Sequence, residues 1–175
     1  MRRSGTSVEQ ILHMFGDQKI SGELGCFMPD AIGLPSQINA GFLQLIAAFV
    51  SKGKQCQFCM KAHATIAAEL LSEDLVTAVL GNLEDAQLSE AEKALLRFVE
   101  KANRDSAGIG RQDIVQLNLH GWHDRAIYDA IAVCAVFNFY HDWVDASGLH
   151  DLPQTSGLLQ NRQIAEPIYQ QHLEA

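Results

Sequence analysis

The stretch Gln55-Cys56-Gln57-Phe58-Cys59-Met60-Lys61-Ala62-His63, QCQFCMKAH, sets two cysteines and a histidine within eight positions. Gly53 breaks the chain just ahead of it, and the segment opens a helix running to about Leu71. On such a helix Cys56, Cys59 and His63 stand at i, i+3 and i+7, which stacks all three on one face. Side chains three apart are roughly 5–6 Å apart at Cβ, so modest adjustment permits a disulfide. Cys56 falls in the first turn, where free amide donors and the positive end of the helix dipole favour a thiolate. His63, one turn past Cys59, is positioned to take the proton of that thiol or hold it by a hydrogen bond.

Two other readings use the same residues. Two cysteines and a histidine are zinc donors, but a structural site needs four protein ligands and a catalytic one needs three with an open position. His120, His123 or His141 would have to complete the set, and no second CxxC or HxxxH pair supplies it. No metal is expected on this count. The remaining reading is two buried cysteines and a satisfied histidine that merely fill a helix.

Outward from this segment the pattern stays helical. Ser36 to Lys52, SQINAGFLQLIAAFVSK, reads as a long apolar helix, and SEDLVTAVLG as a short one from Ser72 to Gly81. Ser89 and Glu92 form a capping box ahead of a helix whose Ala94, Leu95, Phe98 and Val99 share a face. RQDIVQLNLHG is short and stops at Gly121, and the longest helix runs from near Asp124 to Gly148. A first helix opens at Ser7 with Gln10 three residues on, and an irregular connection through Gly22, Gly25, Pro29, Gly33 and Pro35 follows it. No segment alternates with a period of two. The expectation is an all-α single domain of about six or seven helices. Its core spans residues 36–149, preceded by 1–35 and followed by a less regular arm at 150–175.

With 175 residues the chain is long enough to bury a substantial core in one domain. A net charge of -8 argues against a general binder of nucleic acid or membrane surfaces. No segment approaches the roughly 20 apolar residues of a spanning helix. The opening MRRSGTSVEQILHMFGDQ has no apolar run behind its arginines, so a cytoplasmic protein is expected. Four cysteines are too few for a disulfide scaffold, and in a reducing compartment a close pair points to catalysis or metal. Cys134, inside AIAVCAVF, reads as a small core residue, and Cys26 carries no assignment.

With its flanks the cysteine segment resembles the alkylhydroperoxidase-D-like, or carboxymuconolactone-decarboxylase-like, family. The resemblance runs from LQLIAAFVSKGKQCQFCMKAHATIA through LSEAEKALLRFVEKANRD to AIAVCAVFNFYHDWVDASGL, with CxxCxxxH as its specific part. It implies an all-helical homo-oligomer, a trimer or hexamer, and a cofactor-free peroxidase. In such an enzyme one cysteine becomes a sulfenic acid and condenses with the other, and a dithiol donor such as lipoamide or a thioredoxin-like protein reduces the disulfide. By the resemblance Cys59 attacks the hydroperoxide, Cys56 lies nearer the surface and resolves, and His63 serves the proton relay. Position at the helix start instead favours Cys56 as the more acidic thiol.

One departure stands out. The family's relay begins with a glutamate twelve residues before the first cysteine, and this chain has Gln44 there. A glutamine can orient water or an imidazole but accepts no proton, and loss of a general base costs on the order of 10²–10⁴ in rate. His141, in FNFYHDW, is the candidate substitute, although Asp142 beside it points about 100° away on an ideal helix. A histidine at an oligomer contact is the plainer reading of His141, as turn and capping roles are for His120 and His123. The functional expectation is thus a thiol-based peroxidase working through Cys56, Cys59 and His63. Its alternative is a redox-sensing or disulfide-exchange protein with little peroxidase activity.

Overall fold

The computed structural model describes residues 37–147, which form six α-helices and two short 3-10 turns, with no strand among them. The helices are α1 (Ala40–Gly53), α2 (Gln57–Leu70), α3 (Glu73–Gly81), α4 (Glu90–Arg104), α5 (Arg111–Leu119) and α6 (Asp124–Ser147). The 3-10 turns, Leu83–Asp85 and Ser106–Gly108, precede α4 and α5 respectively. The expected helix at Ser7, the connection after it, Cys26 and the arm at 150–175 lie outside the described residues.

α1 is the centre of the domain. Phe42, Leu43, Leu45, Ile46, Ala47, Ala48 and Val50 are all buried, and a helix apolar all round must be enclosed by its neighbours. It packs against α2, α3, α4 and α6. The helix starts at Ala40 rather than near Ser36. Asn39 is the reason: its backbone is extended and its side-chain oxygen accepts from Phe42 N at 2.9 Å, which ends the chain's non-helical approach there.

At its other end α1 turns back through Lys54 and Gln55. Gln55 holds φ +62, a left-handed conformation that a non-glycine residue adopts at some cost. This turn lets α2 run beside α1, close enough that a Cβ on Gly41 would stand 2.8 Å from Leu71 Cγ. The start of α1 therefore lies against the end of α2, and the cysteines lie at the opposite end of the pair.

α4 and α6 close the other sides. α4 carries its apolar residues as one stripe, burying Leu95, Leu96, Phe98 and Val99, with charged residues elsewhere. Its expected capping box is formed: Ser89 Oγ accepts from Glu92 N, and Ser89 N donates to Glu92 Oε2 at 2.8 Å. α6 runs across both helices, and its Asn138 donates to Asn103 Oδ1 on α4 at 2.9 Å. Asn103 in turn donates to Val50 O of α1 at 3.1 Å, tying three helices together beside the cysteine-bearing turn. Trp122 Nε1 donates to Ala91 O at 2.8 Å, which seats the turn before α6 on α4.

Two substitutions calibrate this packing. Leu96→Ala, at a fully buried position, is expected to lower stability by about 2–5 kcal/mol. Ser89→Ala, which removes only an exposed cap, is expected to lower it by about 1 kcal/mol. Denaturant unfolding followed by helical circular dichroism checks both values and their order.

Candidate active site

The turn after α1 delivers Cys56 to the N-cap of α2, one residue ahead of the first turn in which it was expected. Cys59 follows inside that turn. Both are free thiols and both are buried, 4% and 7% exposed. Their sulfurs lie within 4.8 Å of each other.

The two thiols differ in acidity. Cys56 is lowered to about 7, first because the Cys59 thiol hydrogen-bonds to its sulfur. The backbone amides of Phe58 and Cys59 help, although neither makes a full capping bond to the side chain. Cys59 is pushed in the opposite direction, by holding that same proton and by burial. The resting charge of the pair therefore sits on Cys56, as its place at the helix start predicts. Cys134 behaves as the core residue it was read as: it is 4% exposed, and burial pushes its thiol up to about 11.

His63 is fully enclosed and bonds to α1. Its Nδ1 and Gln44 Oε1 are 2.8 Å apart, and an amide oxygen only accepts, so Nδ1 carries the proton and donates. Gln44 thus orients the imidazole, as a glutamine can, but supplies no negative charge behind it. Burial, with His141 adding to it, pushes His63 down to about 3. The ring of Phe137 stands edge-on to His63 at 4.5 Å between centroids.

The imidazole nitrogen that lies within 4.8 Å of both sulfurs belongs to His141, not His63. The expected face of Cys56, Cys59 and His63 is therefore only partly assembled: the thiols meet, while His63 turns to Gln44. His141 sits on α6, one turn beyond Phe137, and is completely buried. Ser51 Oγ donates its only proton to Ala47 O at 2.7 Å, so toward His141 Nε2, 2.9 Å away, it can only accept. The serine thereby fixes the tautomer with the proton on Nε2 and the lone pair on Nδ1. Nδ1 has no hydrogen-bond partner among the described residues. Burial pushes His141 down to about 4; Asp145 and Asp142 pull the other way, while Lys54 adds to the fall.

Three groups here carried no signal that the sequence reading used: Ser51, Phe137 and Asp145. Ser51 stands seven residues after Gln44, on the same face of α1, and both are polar residues in an otherwise apolar run. Asp145 stands four residues after His141, the spacing at which helical side chains meet. Glu69, His120 and His123 are exposed and take no part. As donors for a metal, Cys56, Cys59 and His141 are three groups within reach of one another, one fewer than a closed structural zinc site uses.

Comparisons with known proteins agree on the architecture. No family model matches the chain, and none of the curated proteins does. Among solved structures it is similar to an uncharacterized peroxidase-related protein from Silicibacter sp. TM1040, with a TM-score of 0.74 and 26% identity over 79% of this chain and 74% of that one. It is also similar to an alkylhydroperoxidase AhpD core, an uncharacterized peroxidase-related protein from Ralstonia eutropha JMP134, with a TM-score of 0.71 and 20% identity over 75% of this chain and 70% of that one. The all-α fold expected from the sequence is thus the fold of these peroxidase-related structures.

The acidity order makes a direct prediction. Thiolate is the form above the pKa, so alkylation of Cys56 should rise through pH about 7, well below the ordinary thiol value of 9.0. Cys134 should stay unmodified across that range. Peptide mapping after iodoacetamide pulses at stepped pH checks it; equal labelling of Cys56, Cys59 and Cys134 would contradict it.

Proposed function

We propose that the chain is a thiol-based oxidoreductase that reduces hydroperoxides through a Cys56–Cys59 dithiol/disulfide cycle. The observation that carries the reading is the buried thiol pair at the start of α2, its charge drawn onto Cys56. A thiolate beside a protonated thiol has both the nucleophile and the resolving group of such a cycle. The likeness to two peroxidase-related structures supports the same class.

In the cycle the Cys56 thiolate attacks the terminal oxygen of the hydroperoxide, the O–O bond breaks, and the departing alkoxide takes up a proton held in the site and leaves as the alcohol. Cys56 is then a sulfenic acid. Cys59 attacks it, water leaves, and a disulfide remains. A dithiol donor of the lipoamide or thioredoxin-like kind reduces the disulfide by exchange and is itself oxidised. First attack by Cys56 reverses the order that the family resemblance implies, and the acidity of the pair is the reason. No cofactor enters these steps. Cysteine chemistry of this kind suits the reducing cytoplasm, and no helix among the described residues is long and apolar enough to cross a membrane.

The reading includes a homo-oligomer, a trimer or hexamer. Tyr128, Ile131 and Phe139 stand exposed along α6 and offer an apolar face to a second copy. The alternative, a disulfide-exchange or sensing protein with slow peroxide turnover, draws its support from Gln44, which leaves His63 without a carboxylate.

With dithiothreitol as donor, cumene hydroperoxide consumption is expected to fall at least about 10²-fold in both Cys56→Ser and Cys59→Ser. In Cys59→Ser a dimedone-type reagent should trap the sulfenic acid on Cys56. Trapping on Cys59 in Cys56→Ser alone would restore the opposite order. Unchanged turnover in either variant, or insulin reduction without peroxide consumption by the parent, would remove the peroxidase reading.

A further inference from the structure

We propose that His141, backed by Asp145 one turn further along α6, is the proton acceptor of the Cys56–Cys59 pair and does the work that Gln44 cannot. This rests on the dithiol reading above and deepens it.

The geometry singles out His141. One of its nitrogens lies within 4.8 Å of both sulfurs, a relation that His63 does not share. Its Nε2 is committed to Ser51, which leaves the basic lone pair on Nδ1. That atom is buried and unpaired among the described residues, and a folded core rarely leaves such an atom without a use. His63 is differently provided for. Its oriented nitrogen donates to a neutral amide oxygen, so no carboxylate stands behind it.

Charge sorts the two histidines the same way. The titratable and charged groups around His141 are Cys56, Cys59 and His63 on α2, Lys54 in the turn, and Asp142 and Asp145 on its own helix. Asp145 is the leading charge acting on it and favours its protonated form. Burial pushes both imidazoles down, and the pull of Asp145 is found only at His141. His141 itself disfavours a proton on His63.

The step balances without an outside reagent beyond the hydroperoxide. Where Cys56 still holds its proton, that proton passes to His141 Nδ1, the thiolate attacks the peroxide, and the O–O bond breaks. The departing alkoxide takes the proton from the imidazolium, leaving a sulfenic acid and an alcohol.

The test is rapid-quench measurement of disulfide formation by the reduced protein with cumene hydroperoxide, in the parent and four variants. His141→Asn should be slower by about 10²-fold. Adding Gln44→Glu to His141→Asn should recover at least about tenfold by giving His63 its carboxylate. Asp145→Asn, at an exposed position, should be slower than the parent, and Asp145→Glu should keep the parent rate. The sign of the Asp145→Asn effect is decisive. If the carboxylate only opposed the thiolates, its removal would speed oxidation, and that result would overturn the proposal. So would a His141→Asn protein as fast as the parent. A parent that forms no disulfide overturns the dithiol reading and this inference together; a parent that does so, with indifferent variants, overturns the inference alone.

Discussion

Two polar side chains buried on the central helix organise the site. Gln44 and Ser51 lie two turns apart on α1, 2% and 0% exposed, in a helix otherwise apolar on every side. A buried polar group left without a partner costs about 1–3 kcal/mol, so each must find one in the core. Each finds a histidine, from a different helix: Gln44 takes His63 of α2, and Ser51 takes His141 of α6. The partnership fixes which nitrogen of each ring carries the proton. The hydrogen-bonding needs of α1 thus set the chemistry of residues nineteen and ninety positions away.

The thiols depend on a second constraint, the turn at Gln55. Its left-handed backbone ends α1 and starts α2 within three residues, which brings the N-terminal amides of α2 up to Cys56. With Cys59 donating to the same sulfur, a buried thiol becomes acidic where burial alone would have made it inert, as it does at Cys134. Phe137 stands between the two imidazoles, edge-on to His63 and 6.1 Å from His141. The arrangement keeps both histidines buried and neutral beside a sulfur that is ready to carry charge.

Much of this was legible in the residue pattern. Periodicity and capping gave the helices of the core, including the Ser89–Glu92 box, because those signals are local. The cysteine pair was legible for the same reason: three residues of one helical turn fix their distance. The start of α1 is ambiguous in sequence because Ser36 and Asn39 are both good caps, and the fold uses Asn39. The company of each histidine was less legible. Stacking His63 under Cys59 followed from helix geometry, but its hydrogen bond goes to Gln44 across a helix–helix contact. The approach of His141 to the thiols depends on how α6 packs across α1, an angle that no local pattern encodes. Asp145, four residues from His141, has the spacing that joins side chains on a helix, which the adjacent Asp142 lacks.

The central claim is that Cys56 and Cys59 form a working redox couple. Peptide mass spectrometry of the fully reduced protein, quenched seconds after about one equivalent of cumene hydroperoxide, tests it most directly. The account predicts a loss of two hydrogens confined to the peptide carrying Cys56 and Cys59, formed faster than free cysteine is oxidised, with Cys134 untouched. Two thiols that stay reduced, or that oxidise no faster than free cysteine, would contradict it.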